Sequence, residues 1–221
     1  MVKRKRTGEQ PMLVNSKSGF TLVELLVSTV LTFFVMGAIY SVFRVQTRSI
    51  KSQESRMEAQ QYARAVLDLM VREIRNLGYF PTGVPCSPPS NTNGIVAASA
   101  TSFRFVYDAN GTNGCADSDE DINYAFTGQD ITRNGVPLTD GNATNLQLTY
   151  YPQQTTGIAP APFCASAGNP SGCSGNLATN LANIQKVSIS LTIQSKSPDT
   201  EFGGGKLDAI MVSSANLRNR G

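Results

Sequence analysis

The chain contains no histidine. That absence removes imidazole general bases, Ser-His-Asp triads and histidine-ligated zinc sites together. Its four cysteines, Cys86, Cys115, Cys164 and Cys173, form no C-x-x-C pair, which excludes zinc ribbons and thioredoxin-type redox sites. Basic charge is also scarce over most of the length. The net charge is +3, but residues 1–19 carry Lys3, Arg4, Lys5, Arg6 and Lys17 against Glu9, so the remainder stands at −1. Nucleic-acid binding needs basic residues clustered on the folded part, and none is expected here. No phosphate loop is present either, because Gly203-Gly204-Gly205 lacks the Lys-Ser/Thr that would open a helix; it predicts a turn. No catalytic constellation and no cofactor motif emerge, so the chain is not expected to be an enzyme.

What is present is concentrated near the start. Leu25 to Phe43 is a run of 19 residues without a charge, and a helix of about 20 residues crosses a bilayer core. Positive residues before it predict a cytoplasmic N-terminus with the rest of the chain on the far side. A secretory signal would be shorter and would end in a small-residue cleavage site, whereas Val42-Phe43-Arg44-Val45-Gln46 follows here. A plain anchor explains the length but not the order Lys17-Ser18-Gly19-Phe20-Thr21-Leu22-Val23-Glu24-Leu25-Leu26.

That order resembles the prepilin motif recognised by prepilin peptidase, in the type IV pilin-like superfamily. The resemblance implies cleavage after Gly19, N-methylation of Phe20, and an assembly role for Glu24. A carboxylate deep in a spanning helix costs about 2.5–3.5 kcal/mol and less near the interface. Glu24 is therefore either a tolerated interfacial acid or a charge awaiting a cation. In a filament, the resemblance supplies that cation as the Phe20 amine of a neighbour. It departs from many pilins in one respect: no proline lies between Phe20 and Leu77. Gly37 is left as the soft point.

Helical character continues past the apolar run. Arg44 to Leu77 has neither proline nor glycine and is rich in helix formers. An apolar stripe at Ala63, Val66, Leu67, Met70, Ile74 and Leu77 has helical spacing, with Arg72, Glu73 and Arg75 off it. Gly78 and Pro81 predict the stop. Residues 79–101 read as loop. Alternation then predicts strands at Phe103–Tyr107, Ile122–Phe126, Asp130–Arg133, Leu146–Tyr150, Val187–Ile193 and Leu207–Val212, with a turn at Asn134-Gly135. The expected fold is α+β, a long N-terminal helix packed on an antiparallel β-sheet. The expected domains are a leader (1–19), a transmembrane and assembly helix (20–43), its amphipathic continuation (44–78) and a β-rich head (79–221).

An even number of cysteines beyond a membrane predicts two disulfides. Three pairings are possible; the short loop between Cys164 and Cys173 suggests that bridge, leaving Cys86 for Cys115. Asp117-Ser118-Asp119-Glu120-Asp121 starts like a calcium loop, but Ile122 stands where glycine is required and Gly128 where the closing glutamate belongs. A solvated turn is expected instead.

Downstream, Ile122-Asn123-Tyr124, Ile131-Thr132-Arg133-Asn134-Gly135, Asn145-Leu146-Gln147-Leu148-Thr149-Tyr150-Tyr151 and Leu217-Arg218-Asn219 resemble PilW-like minor pilins. The J-type minor pseudopilins of type II secretion look alike. The resemblance implies a low-abundance subunit priming or joining a type IV pilus. Its partners would be prepilin peptidase, other major and minor pilins, and the inner-membrane assembly platform. It would lie in the inner membrane, head periplasmic, before assembly and on the cell surface afterwards. A pilus-borne adhesin is a further alternative.

Overall fold

The computed structural model describes residues 19–81, 94–111, 119–154, 159–165, 172–195 and 205–218. Two compact units are present, Met1–Arg48 and Ser49–Gly221. One helix, α1 (Leu22–Asn76), contributes to both. Its geometry runs unbroken through Gly37.

Within the second unit, the predicted stripe is the buried face of α1: Ala63, Val66, Leu67, Met70 and Ile74 are buried, as is Leu77 just beyond. Among the described residues eight strands follow: β1 (Ile95–Ala98), β2 (Ser102–Val106), β3 (Asp121–Phe126), β4 (Ile131–Arg133), β5 (Val136–Pro137), β6 (Ala143–Tyr151), β7 (Lys186–Gln194) and β8 (Asp208–Asn216). They form two antiparallel sheets instead of the single sheet expected, β1-β2-β3-β4-β5 and β6-β7-β8. Alternation shows which strands exist, but not which edges meet. Several bonds join the sheets: the Leu148 N–H donates to the Ala100 carbonyl at 2.7 Å, the Ala143 N–H to the Gln129 carbonyl at 3.0 Å, and the Tyr150 hydroxyl to the Ser99 carbonyl at 2.8 Å. Phe103, Phe105, Ile122 and Tyr124 from the first sheet share one core with Leu146, Val187, Ile189 and Leu191 from the second and with the α1 stripe.

Turn chemistry sets the register. Asn134 and Gly135 both have positive φ, 52° and 81°, so the β4–β5 hairpin turns in two residues, the geometry favoured by strand twist. The Asn134 side chain extends the ladder, accepting from the Asn123 N–H at 2.6 Å and donating to the Asp121 carbonyl at 2.9 Å. At the helix stop, the Gly78 N–H donates to the Val106 carbonyl at 3.1 Å. Gly94, with φ of 72°, lies so near that a Cβ there would sit 2.6 Å from the Val106 oxygen and 2.7 Å from the Gly78 nitrogen. Only glycine fits. β1 begins at the next residue, inside the stretch expected to be loop.

Glu73 also departs from expectation. Placed off the apolar stripe, it is nevertheless buried. Arg133 Nε lies 3.0 and 3.1 Å from its two carboxylate oxygens, and the guanidinium Nη2 lies 2.9 Å from Oε1. The Tyr124 hydroxyl donates to the same carboxylate. The carboxylate is thus satisfied by two strands of the first sheet, which fixes the rotation of α1 against that sheet.

The connection from β6 to β7 is held by local bonds. Cys164 and Cys173 form a disulfide with Cα atoms 5.1 Å apart. The Cys164 N–H donates to Gly175 at 2.9 Å and its carbonyl accepts from Leu177 at 3.0 Å. Asn176 caps the first of two 3-10 turns, Leu177–Thr179 and Leu181–Asn183. Cys86 and Cys115 lie outside the described residues.

Removing one partner of a buried ion pair strands the other. Glu73→Ala should lower head stability by about 3–5 kcal/mol, and Glu73→Gln by less, as measured by thermal unfolding of the full chain in detergent. Burial, followed by the bond to Glu73, pushes the Tyr124 phenol above its ordinary 10.0. Burial does the same to Tyr150. The folded head therefore retains protons that the unfolded chain releases above pH about 10, so its stability should be insensitive to these groups below that pH and fall above it. Tyr124→Phe should flatten that alkaline fall in a pH series of melting temperatures.

Candidate functional site

The first unit presents the junction. Gly19 and Phe20 are exposed and precede the helix. Thr21 is the cap: its carbonyl accepts from the Leu25 N–H at 3.2 Å, and its Oγ1 accepts from the Glu24 N–H at 3.2 Å. A threonine followed three residues later by a glutamate is a capping-box pattern. The spacing of Thr21 and Glu24 is the sequence signal for this cap.

The apolar run that follows has no buried side. Leu25, Leu26, Leu31, Phe33, Phe34, Ile39 and Phe43 are all exposed, and α1 is long and apolar enough to cross a membrane, with none of its most apolar window buried. A core helix would be covered by its own protein; this one needs a different apolar solvent. Its serine and threonine hydroxyls are internally satisfied. Ser28 donates to the Leu25 carbonyl at 2.9 Å, Thr29 to Leu26 at 2.8 Å, Thr32 to Ser28 at 2.7 Å and Ser41 to Ala38 at 2.7 Å. Such back-bonding lets a hydroxyl enter lipid. At the far end the Arg44 guanidinium sits 6.0 Å from the Tyr40 ring centre, a pairing suited to a bilayer interface. Glu24 is different. Among the described residues its carboxylate has no hydrogen-bond or ionic partner, although its backbone is capped.

The acidic run near β3 does not converge on a centre. Asp117 lies outside the described residues. Asp121 is held in two bonds by Arg104, at 3.0 and 2.6 Å, and that pairing raises the guanidinium pKa. Asp119 lies 3.6 Å from Arg133. Glu120 points inward instead of into solvent: it is buried, and Oε1 accepts from the Ala109 and Asn110 N–H groups at 3.1 and 3.3 Å. Among the described residues no three acidic or thiol groups cluster to hold a metal.

A capped helix start, an unpartnered acid and a lipid-suited run describe an apolar anchor with one charge near its entrance. The prokaryotic N-terminal methylation motif matches residues 14–40. The family described as prepilin peptidase-dependent protein B matches residues 52–203, more than half of the chain. The chain belongs to that family. It is thus a type IV pilin-like protein with an apolar anchoring helix, and both matched families are structural pilin-like proteins and not enzymes. No curated protein and no solved structure matches it.

Loss of a helix cap costs about 1 kcal/mol. Thr21→Ala should therefore speed amide exchange at Glu24, whose N–H the Thr21 hydroxyl holds, by roughly fivefold in micelles, while leaving exchange in β7 unchanged.

Proposed function

We propose that the chain is a minor type IV pilin, a PilW-like subunit that helps prime a pilus or enters it in small numbers. In this reading prepilin peptidase cuts after Gly19 and the new Phe20 amine is methylated. Residues 20–43 hold the subunit in the inner membrane, head outward, until it is passed to the filament. The observation that carries the reading is the lone Glu24 carboxylate. Every serine and threonine hydroxyl of the apolar run has an internal acceptor, whereas the Glu24 carboxylate at its entrance has no partner among the described residues. An isolated charge there favours any state that brings it a cation. The amine of Phe20 on an adjacent subunit is such a cation, and pairing with it would set the axial step between neighbours.

The minor-pilin reading rests on the resemblance of the segments around Tyr124, Arg133 and Tyr150 to PilW-like subunits; in the head these segments carry core residues and the Glu73 contacts. The related pseudopilin reading shares the junction and differs in the filament served. A deletion strain separates them: loss of surface fibres or twitching with secretion intact supports the pilus, and lost secretion with normal fibres overturns it.

Two substitutions test the junction itself. Gly19→Trp should leave full-length protein in the membrane, seen as a slower band on immunoblots. Glu24→Ala should be processed normally, yet its recovery in sheared filaments should fall by roughly tenfold, equivalent to about 1.4 kcal/mol. Normal recovery of Glu24→Ala would remove the pairing from the account.

A further inference from the structure

The four strand edges of the head are treated unequally. β1 is four residues long, carries a register break between Ile95 and Ala97, and lies beside the two 3-10 turns. β5 is two residues long and ends in Pro137. β6 has a register break between Ala143 and Asn145, and its outer edge is bonded: Leu148 donates to Ala100 and the Tyr150 carbonyl accepts from Phe163, at 2.7 and 2.8 Å. Each of these is a recognised way of blunting an edge against other chains.

β8 has none of them. It is nine residues long, pairs with β7 in unbroken register from Lys186↔Asn216 to Gln194↔Asp208, and contains no proline. Asp208, at its first position, is its one charged residue. Its outward-facing side chains include Ile210 and Val212, exposed at 68% and 67%. Among the described residues no backbone bond reaches its outer edge. In an antiparallel ladder, alternate residues of an edge strand direct their N–H and C=O groups away from the sheet. An edge of this length and unbroken register, with apolar side chains and no cover among the described residues, is a template for another strand.

We propose that a second copy of this chain occupies that edge, β8 against β8 of the partner in antiparallel register. The sequence Asp208-Ala-Ile-Met-Val-Ser-Ser-Ala-Asn216 is self-complementary about Met211. In that register Ile210 faces Val212 of the partner subunit, and Val212 faces Ile210 of the partner subunit, so four exposed β-branched residues cover one another. Asp208 meets Ser214 of the partner subunit and Lys206 meets Asn216 of the partner subunit, so no like charges are opposed. Met211, partly buried at the margin of the core, lies beside Met211 of the partner subunit and continues the apolar layer. The two three-stranded sheets become one of six strands. β1, β5 and β6 cannot offer an equivalent edge, so the contact is isologous and closes at two copies. The contact is small. Anchoring in one membrane raises the effective concentration of the copies, as a linker would, and it applies whichever filament the subunit serves.

The test uses the full chain, processed and in its membrane. Differently tagged Ile210→Cys and Val212→Cys chains are co-expressed and separated on non-reducing gels. They should form a disulfide-linked pair, whereas Thr149→Cys, two strands away on the same face, should not. In mild detergent the wild type should sediment as a concentration-dependent dimer. Val212→Lys, at an exposed position, should weaken that dimer by roughly tenfold with an unchanged melting temperature. A monomer at all concentrations, equal cross-linking through Thr149→Cys, or a dimer indifferent to Val212→Lys (association through the anchoring helix) would each overturn the proposal.

Discussion

A buried carboxylate needs its charge compensated, and for Glu73 the cation that does so comes from sixty positions further along the chain. The docking of helix on sheet is arranged around this requirement. Arg133 sits at the end of β4, directly before the two-residue turn that Asn134 and Gly135 make possible. Tyr124 stands opposite it on β3. The apolar stripe of α1 supplies most of the association with the sheets, since burial scales with area. Apolar contact is poor at fixing rotation, however, because a helix can turn by a residue and still bury much the same surface. The forked pair of Glu73 and Arg133 has one geometry. It converts an adhesive face into a defined docking of helix and sheet.

The same helix meets a different constraint near its start. There the side chains are apolar all round, and the backbone capping of Thr21 and the back-bonded hydroxyls remove most other polar liabilities. One polypeptide element thus spans two solvents, lipid over its first turns and protein core over its last. The matched families divide at much the same place, the methylation motif covering the first part and the prepilin peptidase-dependent family the second.

Much of this was legible in the sequence, and the remainder was hidden for physical reasons. The stripe from Ala63 to Leu77 and the period-two runs in β3, β6 and β7 report burial directly. The Asn134-Gly135 turn reports backbone conformation. Ile95–Ala98 escaped notice because Ile-Val-Ala-Ala does not alternate and follows a stretch rich in glycine and proline. The division into two sheets depends on contacts between distant segments, which no local pattern encodes. Glu73 was read as surface because charges usually are; only Arg133 makes it otherwise. At the junction, Gly19, Phe20 and Glu24 were visible as a motif. Thr21 is less visible, because its spacing to Glu24 marks a helix start only where the backbone adopts the cap.

The meeting of Gly78, Gly94 and the Val106 carbonyl has one more consequence. Gly78 and Gly94 lie within van der Waals reach of each other although fifteen residues separate them in the sequence. Val106 clasps both, its carbonyl accepting from the Gly78 N–H and its N–H donating to the Gly94 carbonyl. One residue at the end of β2 thus ties the helix stop to the entry of β1, so a side chain forced in at Gly94 would disturb both at once.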